Sequence, residues 1–295
     1  MLEELLRGLR AATSRPIARQ LTFDLEDALT PLEIQQALPV LSALTGHGGD
    51  AIKVSPSVNL LRREPAELYR YEPVVPGVNF YRGRPSQAGR GLIVVLSGRH
   101  SRPMLPISLF LQHFPAQLFD ILLLYDATNA HYTDGVAGYA DSLFALTRKV
   151  HADFGSAGYA RVYHYGVSSG GFPALRMGLM APTHRSIAIG GLFQWPINRL
   201  QSGENLPSFD PICACNAARI HNLACVHSTL DRDVHHARRV GRTVKARNIT
   251  IPSTNEHNVL FPLYATGRLR DFNQKLFGYV LGHDGQGRFV EGFGV

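Results

Sequence analysis

Residues 166–170, Gly-Val-Ser-Ser-Gly, hold one serine between two glycines, one placed two residues before it and one two residues after. They end the β-prone run ARVYHYGVS (160–168) and lead into the helix-compatible run FPALRMGLM. Such G-x-S-x-G spacing at a strand-to-helix turn is a nucleophile elbow: the turn is so tight that its serine is strained and its hydroxyl exposed. Side chains at 166 and 170 would make strand and helix collide. Gly171 lets the helix lie close to the sheet, and Pro173 falls in its first turn, where the missing N–H does little harm. The register selects Ser168 over Ser169, because centring on 169 puts Val167 where the first glycine belongs. Ser169 then offers its backbone N–H towards an oxyanion. Taken alone, the five residues also fit a plain Gly/Ser turn after a buried strand, so the partners decide.

A serine hydroxyl is a weak nucleophile at neutral pH. It needs a general base, and the base needs an acid to hold its tautomer. The segment CVHSTLDRDVHHA (225–237) reads as strand, turn and helix, with Asp231 and Asp233 in the turn. Asp231 is the preferred acid because it lies nearer the strand end. Asp233 is the alternative, or a helix cap. ITIPSTNEHNVLFPL (249–263) reads as strand, polar turn and helix start, and places His257 as the base. A second oxyanion donor is expected from LSGRHSRPML (96–105), where Gly98 permits close approach and the N–H of Arg99 or His100 donates. Asp126 reads as a structural turn residue. His227, His235 and His236 lack supporting carboxylates, so no metal site is expected.

These side chains need a frame. Short apolar runs at 91–98, 120–128, 160–168, 186–193, 223–231 and 248–253 alternate with helical stretches. That pattern predicts a parallel sheet covered on both faces, with VNFYRG (78–83) as an edge strand. GVAGYADSLFALTRKVHADF (135–154) reads as one long helix, with Ala140, Leu143, Phe144 and Val150 near one face. DVHHARRVGRTVKAR (233–247) reads as a helix with Val234, Ala237, Gly241 and Val244 inward. Residues 1–73 read as a helical N-terminal extension, as a separate appendage or packed on the main domain. In it, Leu2, Leu5, Leu6 and Leu9 follow helical spacing, Thr30 and Glu33 form a capping box, and GHGG (46–49) breaks the chain. The main domain spans 74–281, with a loop-rich insertion at about 194–222 that brings Phe193 and Trp195 towards a substrate pocket together with Gly98 and His100. Residues 282–295 read as a Gly-rich tail.

The chain has 295 residues, 45% of them hydrophobic, enough for one large core or two modest ones. No apolar run is long enough to span a bilayer, and MLEELLRGLR does not read as a secretory signal. Three cysteines, at 213, 215 and 225, read as idle thiols and fit a reducing cytoplasm. The net charge of +7 comes almost wholly from arginine. A basic surface favours anionic substrates or membranes, but no nucleic-acid motif appears. The bases at 232, 238, 239, 242 and 247 read as a solvated helix face, or as a dock for an acidic partner.

GVSSGG, STLDRDV and STNEHNVL, in that order within alternating strands and helices, resemble the α/β-hydrolase superfamily over roughly residues 75–280. The resemblance implies a mostly parallel eight-stranded sheet, with Ser168, Asp231 and His257 as nucleophile, acid and base at its C-terminal edge. It departs from the family pattern in the doubled serine, in an oxyanion loop without an HG dipeptide, and in the helical extension. The expected function is a cofactor-free serine hydrolase acting on an ester or thioester of a small-molecule, glycan or lipid acyl substrate. An acyltransferase with the same triad and a non-catalytic binding or assembly module are the alternatives. Neither nucleic acid nor an integral membrane is an expected partner.

Overall fold

Strands form where the sequence concentrates β-branched and aromatic residues, and their alternating side chains divide the core. The computed structural model describes residues 1–84, 89–155, 158–191, 222–282 and 287–290. Among these, β1 (Arg70–Val75), β2 (Val78–Arg82), β3 (Gly91–Leu96), β4 (Phe119–Leu124), β5 (Arg161–Val167), β6 (Arg185–Ile189), β7 (Leu223–His227) and β8 (Arg247–Thr250) make one sheet ordered β1-β2-β4-β3-β5-β6-β7-β8. Strands β3 to β8 run parallel, while β2 is antiparallel to both β4 and β1.

Ile93, Val95, Ile121, Leu123, Tyr163 and Tyr165 point into one core layer, under α6 (Ile107–Gln112), α10 (Leu260–Ala265) and α11 (Leu269–Phe277). Leu92, Val94, Leu96, Leu122 and Leu124 point into the other, under α7 (Leu143–Val150) and α8 (Gly171–Met180). The central strands β3 and β4 are buried at every residue, as two-faced burial requires.

Four local expectations change. Residues 78–82 are not at the edge; β1 is, and it carries Glu72 and Pro73, which an edge strand tolerates and a sequence scan discounts. The helix expected over 135–154 begins only at Leu143, capped by Ser142 Oγ, which accepts from the Ala145 N–H at 3.2 Å. Gly135 and Gly138 upstream have φ of +69° and +74° and make a loop, and Phe144 faces solvent. GHGG starts a helix, α4 (Gly46–Lys53), instead of breaking one. A Cβ on Gly48 or Gly49 would stand 2.2–2.3 Å from the carbonyl oxygens of Leu9 or Leu44, so these glycines serve close packing. The tail contributes β10 (Gly287–Phe289), paired with β9 (Tyr279–Leu281). The 194–222 insertion, with Trp195, lies outside the described residues, as do Phe193, Cys213 and Cys215.

The N-terminal helices α1 (Leu2–Arg10), α2 (Arg15–Ala28), α3 (Pro31–Ser42), α4 and α5 (Pro56–Leu61) enclose their own core of Leu6, Leu9, Leu25, Ile34, Leu41 and Val58. The capping box forms: Glu33 Oε2 accepts from the Thr30 N–H at 2.8 Å, and Thr30 Oγ1 accepts from the Glu33 N–H. Helices α2, α3 and α5 all pack on α6. Buried Glu26 accepts from Ser55 Oγ at 2.6 Å and the Ser57 N–H at 3.0 Å, and Ser108 Oγ of α6 donates to Ser57 Oγ at 2.8 Å. No helix among the described residues is long and apolar enough to cross a membrane.

Candidate active site

Strand β5 ends at Val167, and Ser168 turns the chain with φ of +50°. That conformation costs a non-glycine residue about 1–3 kcal/mol and persists only where its surroundings enforce it. The enforcement is steric. A Cβ at 166 would stand 2.0 Å from the Gly170 carbonyl oxygen, and one at 170 would stand 2.3 Å from that of Leu96. A Cβ at 171 would stand 2.7 Å from Gly191 Cα. One 3₁₀ turn (Ser168–Gly170) then passes directly into α8.

Ser168 Oγ lies 2.9 Å from His257 Nε2. His257 stands in the loop after β8, and Gly190 gives it room: a Cβ there would meet His257 Cε1 at 3.2 Å. The loops after β7 and β8 are tied together, since Thr229 donates both its N–H and its hydroxyl to the Thr254 carbonyl at 3.0 Å.

The acid beside His257 is Asp233, not Asp231. Asp233 Oδ1 and Oδ2 lie 3.0 and 2.9 Å from His257 Nδ1. Helix α9 spans Asp231–Val244, and its inward stripe is Asp233, Ala237, Val240 and Val244, rather than one led by Val234. Asp231, two residues earlier, turns out to solvent in the first helical turn, where its charge complements the helix dipole. Two α-helical residues separate side chains by about 200°, so only one of the two acids can face inward.

Opposite the elbow runs the loop after β3. A Cβ on Gly98 would meet Ser168 Cβ at 3.2 Å, so a small residue is needed there. Ser169 follows Ser168 in the 3₁₀ turn, and Arg99 and His100 border the same cavity as Ser168. The loop is held at three points. The Gly98 N–H donates to the Arg102 carbonyl at 3.2 Å. Asn258, next to His257, donates from Nδ2 to the Met104 carbonyl at 2.7 Å while its Oδ1 caps α10. Asp27 of α2 pairs with Arg102 Nε at 2.5 Å and accepts the Ile107 N–H at 3.1 Å. Burial pushes the Asp27 carboxyl up to about 6, against the opposing pull of Arg102. Ser101 and Met104 in this loop also have positive φ.

The cavity encloses about 650 Å³ and is bordered by Ser168, His257, Gly98, Asn258 and Arg232, with Phe23 and Pro56 from the N-terminal region and Phe261 from α10. Sequence reasoning missed Asp27, Phe23, Pro56, Asn258 and Phe261. Asn258 carried a signal, an asparagine just before a helix start; Phe261 follows it in that helix, while Phe23, Asp27 and Pro56 come from far along the chain and carried none. Asp126 is a turn residue, accepting from Thr128 and from the Tyr132 N–H at 2.9 Å. Cys225 is buried in β7, and burial pushes its thiol up to about 12, which leaves it unreactive. Among the described residues no group of three or more His, Cys, Asp or Glu could hold a metal.

A mostly parallel eight-stranded sheet, helices on both faces, and a strained serine between β5 and α8 define the α/β-hydrolase fold. No family model matches the chain, and no curated protein does. It is similar to the solved structure of a dienelactone hydrolase from Anabaena variabilis, at 15% identity over 72% of this chain and 97% of that one, with a TM-score of 0.47. It is also similar to carboxyl esterase 2 of Tuber melanosporum, at 11% identity over 72% and 85% of the two chains, TM-score 0.42. A capsule O-acetyltransferase of Neisseria meningitidis serogroup A matches at 12% identity over 66% and 90%, TM-score 0.42. Likeness this distant says nothing of substrate, so the chemistry has to come from the site.

Proposed function

We propose that this chain is a serine hydrolase that cleaves an ester or thioester through Ser168, His257 and Asp233. One observation carries the reading: an unbroken hydrogen-bond relay, 2.9 Å from Ser168 Oγ to His257 Nε2 and 2.9 Å from His257 Nδ1 to Asp233, on the wall of a cavity. Ser168 Oγ attacks the carbonyl carbon as His257 Nε2 takes its proton. Asp233 fixes the tautomer that leaves Nε2 free to accept, and stabilises the imidazolium that forms. The oxyanion is held by the N–H groups of Ser169 and Arg99. The tetrahedral intermediate collapses, the leaving group departs with the proton from His257, and Ser168 remains acylated. Water then attacks the acyl carbon, gives its proton to His257, and the acid leaves as Ser168 recovers its hydrogen.

A fluorophosphonate probe is expected to label the parent and not Ser168→Ala. A panel of p-nitrophenyl esters and acyl-thioesters should be turned over by the parent alone. The same panel with added alcohols or amines separates hydrolysis from acyl transfer by product. Equal labelling of parent and variant would leave the chain a binding module with a glycine-rich bend.

A further inference from the structure

The Ser168 cavity is bordered by both cationic and apolar side chains. Among the described residues that border it there is no aspartate or glutamate, and three are arginines. Arg102 is neutralised by Asp27. Arg99 makes no ion pair among the described residues. Arg232 approaches Asp233 only at 3.5 Å, its side chain 54% exposed, while both Asp233 oxygens already face His257. Arg99 thus stands at the cavity with no ion pair among the described residues, and Arg232 shares Asp233, whose oxygens also face His257. Phe23, Pro56 and Phe261 border the same cavity.

Guanidinium groups are suited to carboxylate and phosphate, and positive charge at a partly enclosed mouth raises the local concentration of anions. We propose that the site takes an anionic ester, with a carboxylate or phosphate held by Arg99 and Arg232 while its apolar part rests on Phe23, Pro56 and Phe261. This rests on the hydrolase reading above and adds a substrate class to it. The anion can belong to the acyl chain or to the leaving group.

Two matched pairs of esters test both placements. p-Nitrophenyl hydrogen adipate against p-nitrophenyl hexanoate places the charge on acyl chains of equal length. 4-Carboxyphenyl hexanoate against 4-carbamoylphenyl hexanoate places it on the leaving group. The quantity read is the ratio of kcat/KM, charged over neutral. Damage to the Ser168 machinery falls on both members of a pair and cancels. In the parent, one pair is expected to show a ratio of about tenfold, the size of one charge-assisted contact. It should fall to about one in Arg99→Gln/Arg232→Gln, recover in part in Arg99→Lys/Arg232→Lys, and shrink in about 0.5 M NaCl. A ratio of one or less for both pairs in the parent, or one unmoved by the double glutamine variant, overturns the inference and leaves the hydrolase intact. No turnover of any ester together with no probe labelling overturns the hydrolase reading, and the anionic substrate falls with it.

Discussion

The two walls of the Ser168 site are built in opposite ways. The elbow wall is local: Gly166, Ser168, Gly170 and Gly171 lie within six residues, and their mutual clearances set the turn. The loop at 97–106 is held from far away. Its clamps are Asp27, 80 residues from the Ile107 N–H it accepts, and Asn258, 154 residues from the Met104 carbonyl to which it donates. The elbow is a packing constraint that a single methyl group violates. The loop is a set of separate polar ties, each worth a hydrogen bond or ion pair. Damage to the first should be all-or-none, and damage to the second should be graded.

The hardest test of that contrast is Gly170→Val. Its Cβ would stand 2.3 Å from the Leu96 carbonyl oxygen, and backbone cannot yield as a side-chain tip does. A loss of more than about 3 kcal/mol is expected, read as a collapsed Tm or as insoluble protein. Next comes Asp233→Asn, which should keep the fold and lower kcat by about 10⁴-fold, because the imidazole is then held in the wrong tautomer. Asp231→Asn should change kcat less than about twofold and cost only about 0.3–1 kcal/mol of helix-dipole stability. If the two variants exchange these effects, the inward stripe of α9 is misassigned.

The loop clamps come third. Asp27→Asn and Asn258→Ala should each lower kcat about tenfold, as modest misplacement of oxyanion donors would. A drop as deep as that of Asp233→Asn, or none, would erase the distinction between the walls. The smallest effect is one of pH. The Asp27 carboxyl titrates near 6 in the fold, above its ordinary 3.8, so the native state binds a proton that the unfolded chain does not. Its contribution to stability is therefore fully present below about pH 4 and is lost as pH rises through 6. The parent should gain stability relative to Asp27→Asn between pH 7 and 4, read from urea midpoints of both proteins.

These walls also differ in how well the sequence announced them. The G-x-S-x-G register singles out Ser168 and the polar turn after an apolar strand singles out His257, and the two side chains lie 2.9 Å apart. Choosing between Asp231 and Asp233 required the helix rotation. The amphipathic pattern points to Val234, whereas buried Asp233 leads the inward stripe; hydropathy counts an acid as outward even when a histidine waits to receive it. Strand β1 leaves little signal because Glu72 and Pro73 look unlike a strand, and the helix expected over 135–154 is too long because Gly135 and Gly138 take positive φ in a loop before Leu143.

By itself the sequence determined what depends on neighbours along the chain: the alternation of buried strands and helices, the Thr30–Glu33 cap, and the turn that presents Ser168. Steric clearance and periodicity act over a few residues, so they leave a readable pattern. Only the tertiary structure decided that α2 and α5 would border the cavity with Phe23 and Pro56, that Asp27 and Asn258 would grip the 97–106 loop, and that Arg99 and Arg232 would line the same cavity as Ser168. Those contacts join residues separated by much of the chain, where position depends on how whole layers pack and no local spacing records the outcome.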